Sequence, residues 1–284
     1  MTKATEEHMA LDSAPLPHSR SSIVPTPEES LMSRLGRSIF QYWPPALMLV
    51  LVLGVWEIVG RALDPLLFAP PSRTAEAFWD MVSSGQLGSA LLTTLSYLIP
   101  GFILSAITGI VIGVLMGRSE TWGKLLEPYI NAVYATPRVV IIPLVILWFG
   151  VGYNGRIFII WLGAAIPIII STAVGVRYVS TELIEAARSF QATERQLIRH
   201  VILPGAVPFV ASGFKIGAER ALVGAVIAEV FLSLTGVGGI IQTEAERLNT
   251  PAVLAGAFVY AALGWLVMSG LGFVEKKFAV WKSS

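Results

Sequence analysis

Residues 177–208 read RYVSTELIEAARSFQATERQLIRHVILPGAVP. Ser180 is placed to cap a first helix, Glu182 falls in its opening turn where the helix dipole favours an acid, and Leu183, Ile184, Ala187 and Phe190 supply an apolar face. Thr193 and Gln196 then form a T-x-x-Q capping box, with Leu197 and Val201 continuing the apolar spacing of a second helix. Two short amphipathic helices joined by a turn are too long for a tight connection, and they imply a docking surface. On these residues alone, a helical hairpin packed only against its own bundle remains equally open.

On both sides of this stretch the chain is apolar. Its 284 residues are 54% hydrophobic and only 14% charged, with a mean hydropathy of +0.69, whereas soluble domains carry roughly 25% charged residues. Because unpaired backbone amides are not tolerated in lipid, a crossing takes ~20 apolar residues as a helix. Six candidate spans fit, at residues 44–60, 89–117, 129–149, 156–176, 208–234 and 251–274. With the N-terminus in the cytoplasm, thirteen Lys and Arg fall inside, four fall outside and three lie within spans. That satisfies the positive-inside rule with both termini cytoplasmic and points to a multi-pass membrane protein.

The domain organisation expected from this pattern has three parts. Residues 1–30, with Pro15, Pro17, Pro25 and Pro27 among polar residues, read as a disordered cytoplasmic tail. Residues 31–43, with Leu31, Leu35 and Ile39 on one face, read as an amphipathic interfacial helix. Residues 44–284 form an all-α, six-helix transmembrane domain that carries the cytoplasmic helices at 178–204. Outside, Ala75, Phe78, Trp79 and Val82 follow Pro70, Pro71 and Ser72 at helical spacing, which predicts an amphipathic helix on the outer surface.

Several functions are excluded or disfavoured. A net charge of +1 offers no basic field for nucleic acid, and the absence of Cys excludes disulfides and thiolate metal sites. The three His, at 8, 18 and 200, are too scattered for a metal cage. GRSETWGKL at 117–125 has five residues between its glycines where a P-loop needs four, and Leu125 stands where Ser or Thr would hold magnesium. There is no HExxH and no G-x-S-x-G, so no catalytic residue, no metal and no cofactor is expected in this chain.

The hairpin also carries a resemblance. Glu185, Ala186 and Ala187, followed by Ile202, Leu203 and Pro204, resemble the EAA signature of binding-protein-dependent ABC importer permeases, in which EAA is followed after three residues by Gly and later by an ILP-like triplet. Trp56 with Glu57, Pro70 to Ser72, TPRVVIIPLVILWFGVG at 136–152 and AEVFLSLTGVGGII at 228–241 are similar to the subgroup that imports nitrate, taurine, alkanesulfonates and thiamine-type precursors. One departure stands out: Gln191 occupies the position of the signature Gly. The resemblance implies a type I importer fold in which the permease pairs with a second copy of itself. Its coupling residues would be Glu185, Ala186, Ala187, Gln191, Ala192, Ile202, Leu203 and Pro204, docked on a separate ABC ATP-binding subunit that holds ATP and Mg. An extracytoplasmic substrate-binding protein would deliver a small anionic or heterocyclic solute. A self-contained secondary transporter or channel is the alternative.

Charges inside the spans mark the candidate path, since such groups face protein or water. Arg138, beside Pro137, and Lys215 and Arg220 are candidates for an anion path. The competing reading is a network of paired charges at a homodimer seam, with Lys215 and Glu219 four apart on one helix and Arg220 and Glu229 nearby. Glu57, near the outer end of the first span, is expected to have a structural partner.

Overall fold

A computed structural model describes residues 31–64 and 66–279, with side chains described at 47–64, 66–232 and 234–273. The tail expected at residues 1–30 lies outside the described residues. Contacts within the chain divide it into residues 1–52 and 53–284. The described residues form helices α1 (Leu31–Ala62), α2 (Pro71–Ser83), α3 (Gln86–Arg118), α4 (Glu120–Ala135), α5 (Arg138–Phe149) and α6 (Tyr153–Arg177). After these come α7 (Thr181–Ser189), α8 (Glu194–Leu197), α9 (Leu203–Ala228), α10 (Gly236–Glu246) and α11 (Thr250–Ala279). Two π-helical turns, Ile198–Ile202 and Glu229–Ser233, bracket α9.

Helices α3, α6 and α11 and the continuous stretch Glu194–Leu232 are each long and apolar enough to cross a bilayer. Helices α4 and α5, bent by 100° at their break, add a fifth crossing if the pair is one span. The break follows from Pro137: a proline disfavours helical backbone in the residue before it, and Thr136 is extended with ψ of 125°. The sixth expected stretch lies within the range of α1, Leu31–Ala62, which also includes residues 31–43.

Helix α6 is the centre of the bundle, packed between α3 and α9. Lipid offers helices no hydrophobic drive to associate, so close contact between small residues has to supply the packing. On α3 those residues recur every four positions, at Gly101, Ser105, Gly109, Gly113 and Gly117. A Cβ on any of the four glycines would stand 2.5–2.7 Å from Ile160, Ile168, Thr172 or Val176 of α6. Gly213 and Gly217 of α9 meet Ser171 and Ile168 on the other side. Ser105 ties the pair further, its hydroxyl donating to the Trp161 carbonyl at 3.1 Å.

At the end of α1 the chain folds onto α2. Trp56 Nε1 donates to the Ala69 carbonyl at 3.0 Å, and Glu57 accepts from the Ser72 amide at 3.0 Å, the Ser72 hydroxyl at 2.7 Å and Arg61 at 2.6 Å. Glu57 therefore has the structural partner expected of it. Helix α2 forms where the sequence placed it, and the apolar face read there is the outward one. Thr74 and Met81 are buried, while Phe78, Trp79 and Val82 remain exposed. Spacing alone identified the helix, and packing chose the face.

Candidate coupling surface and charged path

From the end of α6 the chain enters α7 through Ser180. Its hydroxyl donates to Glu182 Oε2 at 2.7 Å and accepts no backbone bond, so the expected side-chain cap is not made. At its other end α7 stops in a complete Schellman motif: the Ala192 amide donates to the Ala187 carbonyl at 3.1 Å and the Gln191 amide to the Arg188 carbonyl at 2.8 Å. That motif needs a left-handed residue just past the cap. Gln191 supplies it with φ of 56°, at the position where the permease signature has Gly. The strain that a side chain adds in this conformation is therefore carried here, and the turn is made as it would be with glycine.

The capping box follows as expected. The Gln196 amide donates to Thr193 Oγ1 at 3.4 Å, and the Thr193 amide donates to Gln196 Oε1 at 2.8 Å. What it opens is not a separate second helix. Helix α8 is a single turn that passes through the π-helical turn Ile198–Ile202 directly into α9. Pro204 explains the irregularity, because it has no amide to donate to the carbonyl four residues back, and a widened turn just before it takes up the mismatch.

The hairpin is seated on its own bundle by one face only. Leu197 and Ile202 are 1% and 3% exposed and pack with Val176 and Ala206, with Ile184 and Ala187 against them. Arg118 of α3 forms an ion pair with Glu194, and Arg188 lies 3.9 Å from the same carboxylate. Turned away from this seat are Leu183, 60% exposed, Phe190, 87% exposed, and the exposed Glu185 and Ala186. The eight residues singled out by the signature thus divide. Glu185, Ala186, Gln191 and Pro204 are exposed, Ala187, Ala192 and Leu203 are half-buried, and Ile202 belongs to the core. Leu183 and Phe190 were read from the sequence only as an apolar face, and their spacing with Ala186 places them on one outward strip.

Within this chain the membrane charges Arg138, Lys215, Glu219 and Arg220 do not pair with one another through their charged groups. Arg138, half-buried at the start of α5, donates through a terminal nitrogen to the Arg220 carbonyl at 3.1 Å. Gly163 of α6 makes room for it, since a Cβ there would stand 2.8 Å from that nitrogen. Arg138 is thus a staple between α5 and α9. Lys215 and Glu219 are both exposed and form no ion pair, which corrects the pairing expected from their spacing. Arg220 is half-buried, and its Nε has no hydrogen-bond partner.

Glu229 is the residue the sequence reading placed least well. It is 0% exposed within its own chain, and hydroxyls surround it in place of cations, so it is not part of an ion-pair network at a seam. Its Oε1 accepts from Thr94 and Tyr97 of α3, and its Oε2 accepts from Tyr260 of α11 and from the Gly238 amide of α10 at 2.6 Å. The signal in the sequence was an acid in an apolar span followed within ten residues by GVGG, at 236–239.

The comparisons with known proteins agree with this architecture. Residues 109–280 match the model of a family described as the binding-protein-dependent transport system inner membrane component. A Bacillus subtilis (strain 168) permease protein SsuC, described as for aliphatic sulfonates transport, is 30% identical over 265 residues, covering 93% of this chain and 96% of the relative. The taurine transport system permease protein TauC of Escherichia coli (strain K12) is 30% identical, covering 82% and 87%. Among solved structures, an inward-facing MetNI methionine ABC transporter matches with a TM-score of 0.61 at 19% identity, covering 68% of this chain and 95% of that one. At that identity the likeness speaks for the fold.

Proposed function

The chain belongs to the family of binding-protein-dependent transport system inner membrane components, as a membrane-spanning permease of an ABC importer, and from that premise we propose how it works and what it carries. Two copies form the translocation path, with both termini in the cytoplasm. Each copy docks the outward strip of α7, made by Leu183, Ala186 and Phe190 with Glu185 beside it, on a separate ATP-binding subunit that holds ATP and Mg. A substrate-binding protein delivers the solute to the outer side. The observation that carries this reading is the one-sided seating of the hairpin: Ile184 and Ala187 face the bundle, while an aromatic ring, 87% exposed, is held outward by a strained turn. A surface phenylalanine fixed in this way has the character of an interface anchor.

The solute we propose is a small organosulfonate. Two relatives are described as permeases for such compounds. In this chain Lys215, exposed on α9, and Arg220, with a guanidinium nitrogen to spare, supply the positive potential that an anion needs in a membrane, and Arg138 fixes the wall beside them. ATP-driven closure of the motor subunits moves α7 and switches the bundle between outward-open and inward-open states.

The test is to purify the tagged chain with its co-eluting subunits, reconstitute the complex with its binding protein, and measure ATP hydrolysis with taurine, with linear alkanesulfonates and with neutral or cationic solutes. The expected result is an ATP-binding subunit in the complex and stimulation by a sulfonate alone. Solute uptake by the chain alone, driven by an ion gradient, would overturn the importer mechanism. Stimulation by neutral or cationic solutes only would overturn the substrate class.

A further inference from the structure

Glu229 ties together four helices, and nothing in the coupling surface or the charged path makes use of it. Its carboxylate ends α9, and its partners come from α3, α10 and α11. Thr94 holds the same turn a second time, since its Oγ1 accepts from the Val237 amide at 3.2 Å while its hydroxyl hydrogen goes to Glu229. Arg156 of α6 lies over the ring of Tyr97, 5.2 Å from its centroid, which links the central helix to the same cluster. All four groups around the carboxylate are donors, as suits an acceptor with two lone pairs on each oxygen.

The backbone is moulded around this carboxylate. Glu229 opens the π-helical turn Glu229–Ser233, Leu234 then takes a left-handed φ of 46°, and Gly236 follows with φ of 73°. A Cβ at Gly236 or Gly238 would run into the Glu229 side chain, so the two glycines are there to let α10 start directly against it. The Val237 and Gly238 amides at the start of α10 are thereby spent on Thr94 and Glu229 and are not free to bind a solute. Leu234, Thr235 and Gly236 form one wall of an open polar cavity of about 290 Å³ that is lined also by Ser89 and Thr93 of α3, by Thr243 and Glu244 of α10 and by Arg247. In the topology proposed above this cavity opens on the outer side.

The other end of α9 completes the picture. Through its second π-helical turn, α9 runs back to α8 and the coupling hairpin. A single rod of 26 residues thus joins the surface on which the motor acts to the turn that walls the outer cavity. π-helical turns interrupt the regular ladder and are found at functional sites more often than elsewhere.

We propose that Glu229 is the positioning residue of the outer mouth: by fixing the Leu234–Gly238 turn to α3 and α11, it makes motion of α9 open and close the polar cavity between α3 and α10. This rests on the importer reading, but it assigns a role to a different part of the chain. The chain has no cysteine, so the mouth can be followed with a single reactive site. Thr243→Cys is placed in the purified complex with its ATP-binding subunit, and its labelling by a maleimide is timed with and without Mg-ATP and vanadate. The same is done with Glu229→Gln, which sets an amide NH2 against donors, and with Tyr260→Phe, which removes one donor.

Glu229→Gln is expected to assemble and hydrolyse ATP without binding protein within about twofold of the parent. Its nucleotide-dependent change in labelling rate should fall by about tenfold or more, with Tyr260→Phe shifted in the same direction by less. A Glu229→Gln complex whose labelling still follows the nucleotide state overturns the proposal. Loss of assembly in both variants, in proportion to the loss of labelling change, overturns it in favour of a purely structural bond. If the parent complex itself shows no stimulation of ATP hydrolysis by its loaded binding protein, the importer reading fails and this proposal fails with it.

Discussion

Gln191 shows what one side chain does to a turn built for glycine. A residue with a Cβ in the left-handed region costs roughly 1–2 kcal/mol relative to the right-handed one, and with φ of 56° Gln191 is held there by the two Schellman hydrogen bonds. Gln191→Gly should therefore leave the fold and transport intact and keep the thermal midpoint of the detergent-solubilised complex at or above the parent's. Gln191→Val, branched at Cβ, should lower it, with a loss of about 1–2 kcal/mol beyond the parent's strain. A lowered midpoint for the glycine variant would mean that the Gln191 side chain makes a contact that outweighs its strain.

Two residues of α7 that are two positions apart, and so lie on opposite faces of the helix, should fail in different ways. Glu185 is exposed, whereas Ala187 is half-buried against the cluster of Leu197 and Ile202. Glu185→Ala should leave the permease as stable as before and cut solute-stimulated ATP hydrolysis by about tenfold, equivalent to ~1.4 kcal/mol of coupling. Ala187→Asp should instead place a charge in the seat and lower the yield of folded permease before any docking is measured. Size-exclusion profiles and ATP hydrolysis read together separate the two, and equal folding with equal coupling in both variants would contradict the division of faces.

At the scale of elements, the glycine stripe of α3 sets how closely the bundle closes. A Cβ at Gly113 would meet Thr172 at 2.5 Å, whereas nothing lies within 4 Å of one at Gly88 on the same helix. Gly113→Val should cost about 1–3 kcal/mol by overpacking, read as reduced thermal stability, while Gly88→Ala should be neutral or mildly stabilising because alanine is the better helix former. If both variants match the parent, the α3 and α6 backbones are not in the contact described.

What the sequence could and could not show also divides by element. The Thr193–Gln196 capping box was legible because it is made within four residues, and the spans were legible because lipid imposes composition directly. The direction in which α2 is seated was not, since Trp79 and Met81 are both apolar and only a neighbour decides which is buried. The environment of Glu229 was out of reach for a stronger reason. Its partners lie up to 135 positions away, and nothing local distinguishes an acid caged by hydroxyls from one paired across a seam. The Lys215–Glu219 pair was misjudged for the opposite reason: the spacing permits contact, but two exposed side chains gain little by making it.

For the molecule as a whole, the proposed topology places α2 and α10 outside and α7 and the start of α4 at the inner surface. A chain without native cysteine allows each placement to be read singly. In intact cells, Asp80→Cys and Ala245→Cys should react with an impermeant maleimide added outside, and Trp122→Cys and Phe190→Cys should react only after the membrane is opened. External labelling at position 190 would invert the orientation and remove the coupling surface from the side where ATP is found.

The division of labour rests on one strip of α7, whose exposed aromatic residue is placed where a partner has to meet it. Interface energies concentrate in a few such anchors. The most direct measurement is the affinity of the co-purified ATP-binding subunit for the detergent-solubilised permease, comparing the parent with Phe190→Ala. Phe190 contacts no cluster of its own bundle and is 87% exposed, so the substitution should leave the permease folded. The predicted result is at least about tenfold weaker binding, ~1.4 kcal/mol, with solute-stimulated ATP hydrolysis lost in parallel. Unchanged affinity and unchanged stimulation would contradict the claim that α7 couples this chain to a separate motor.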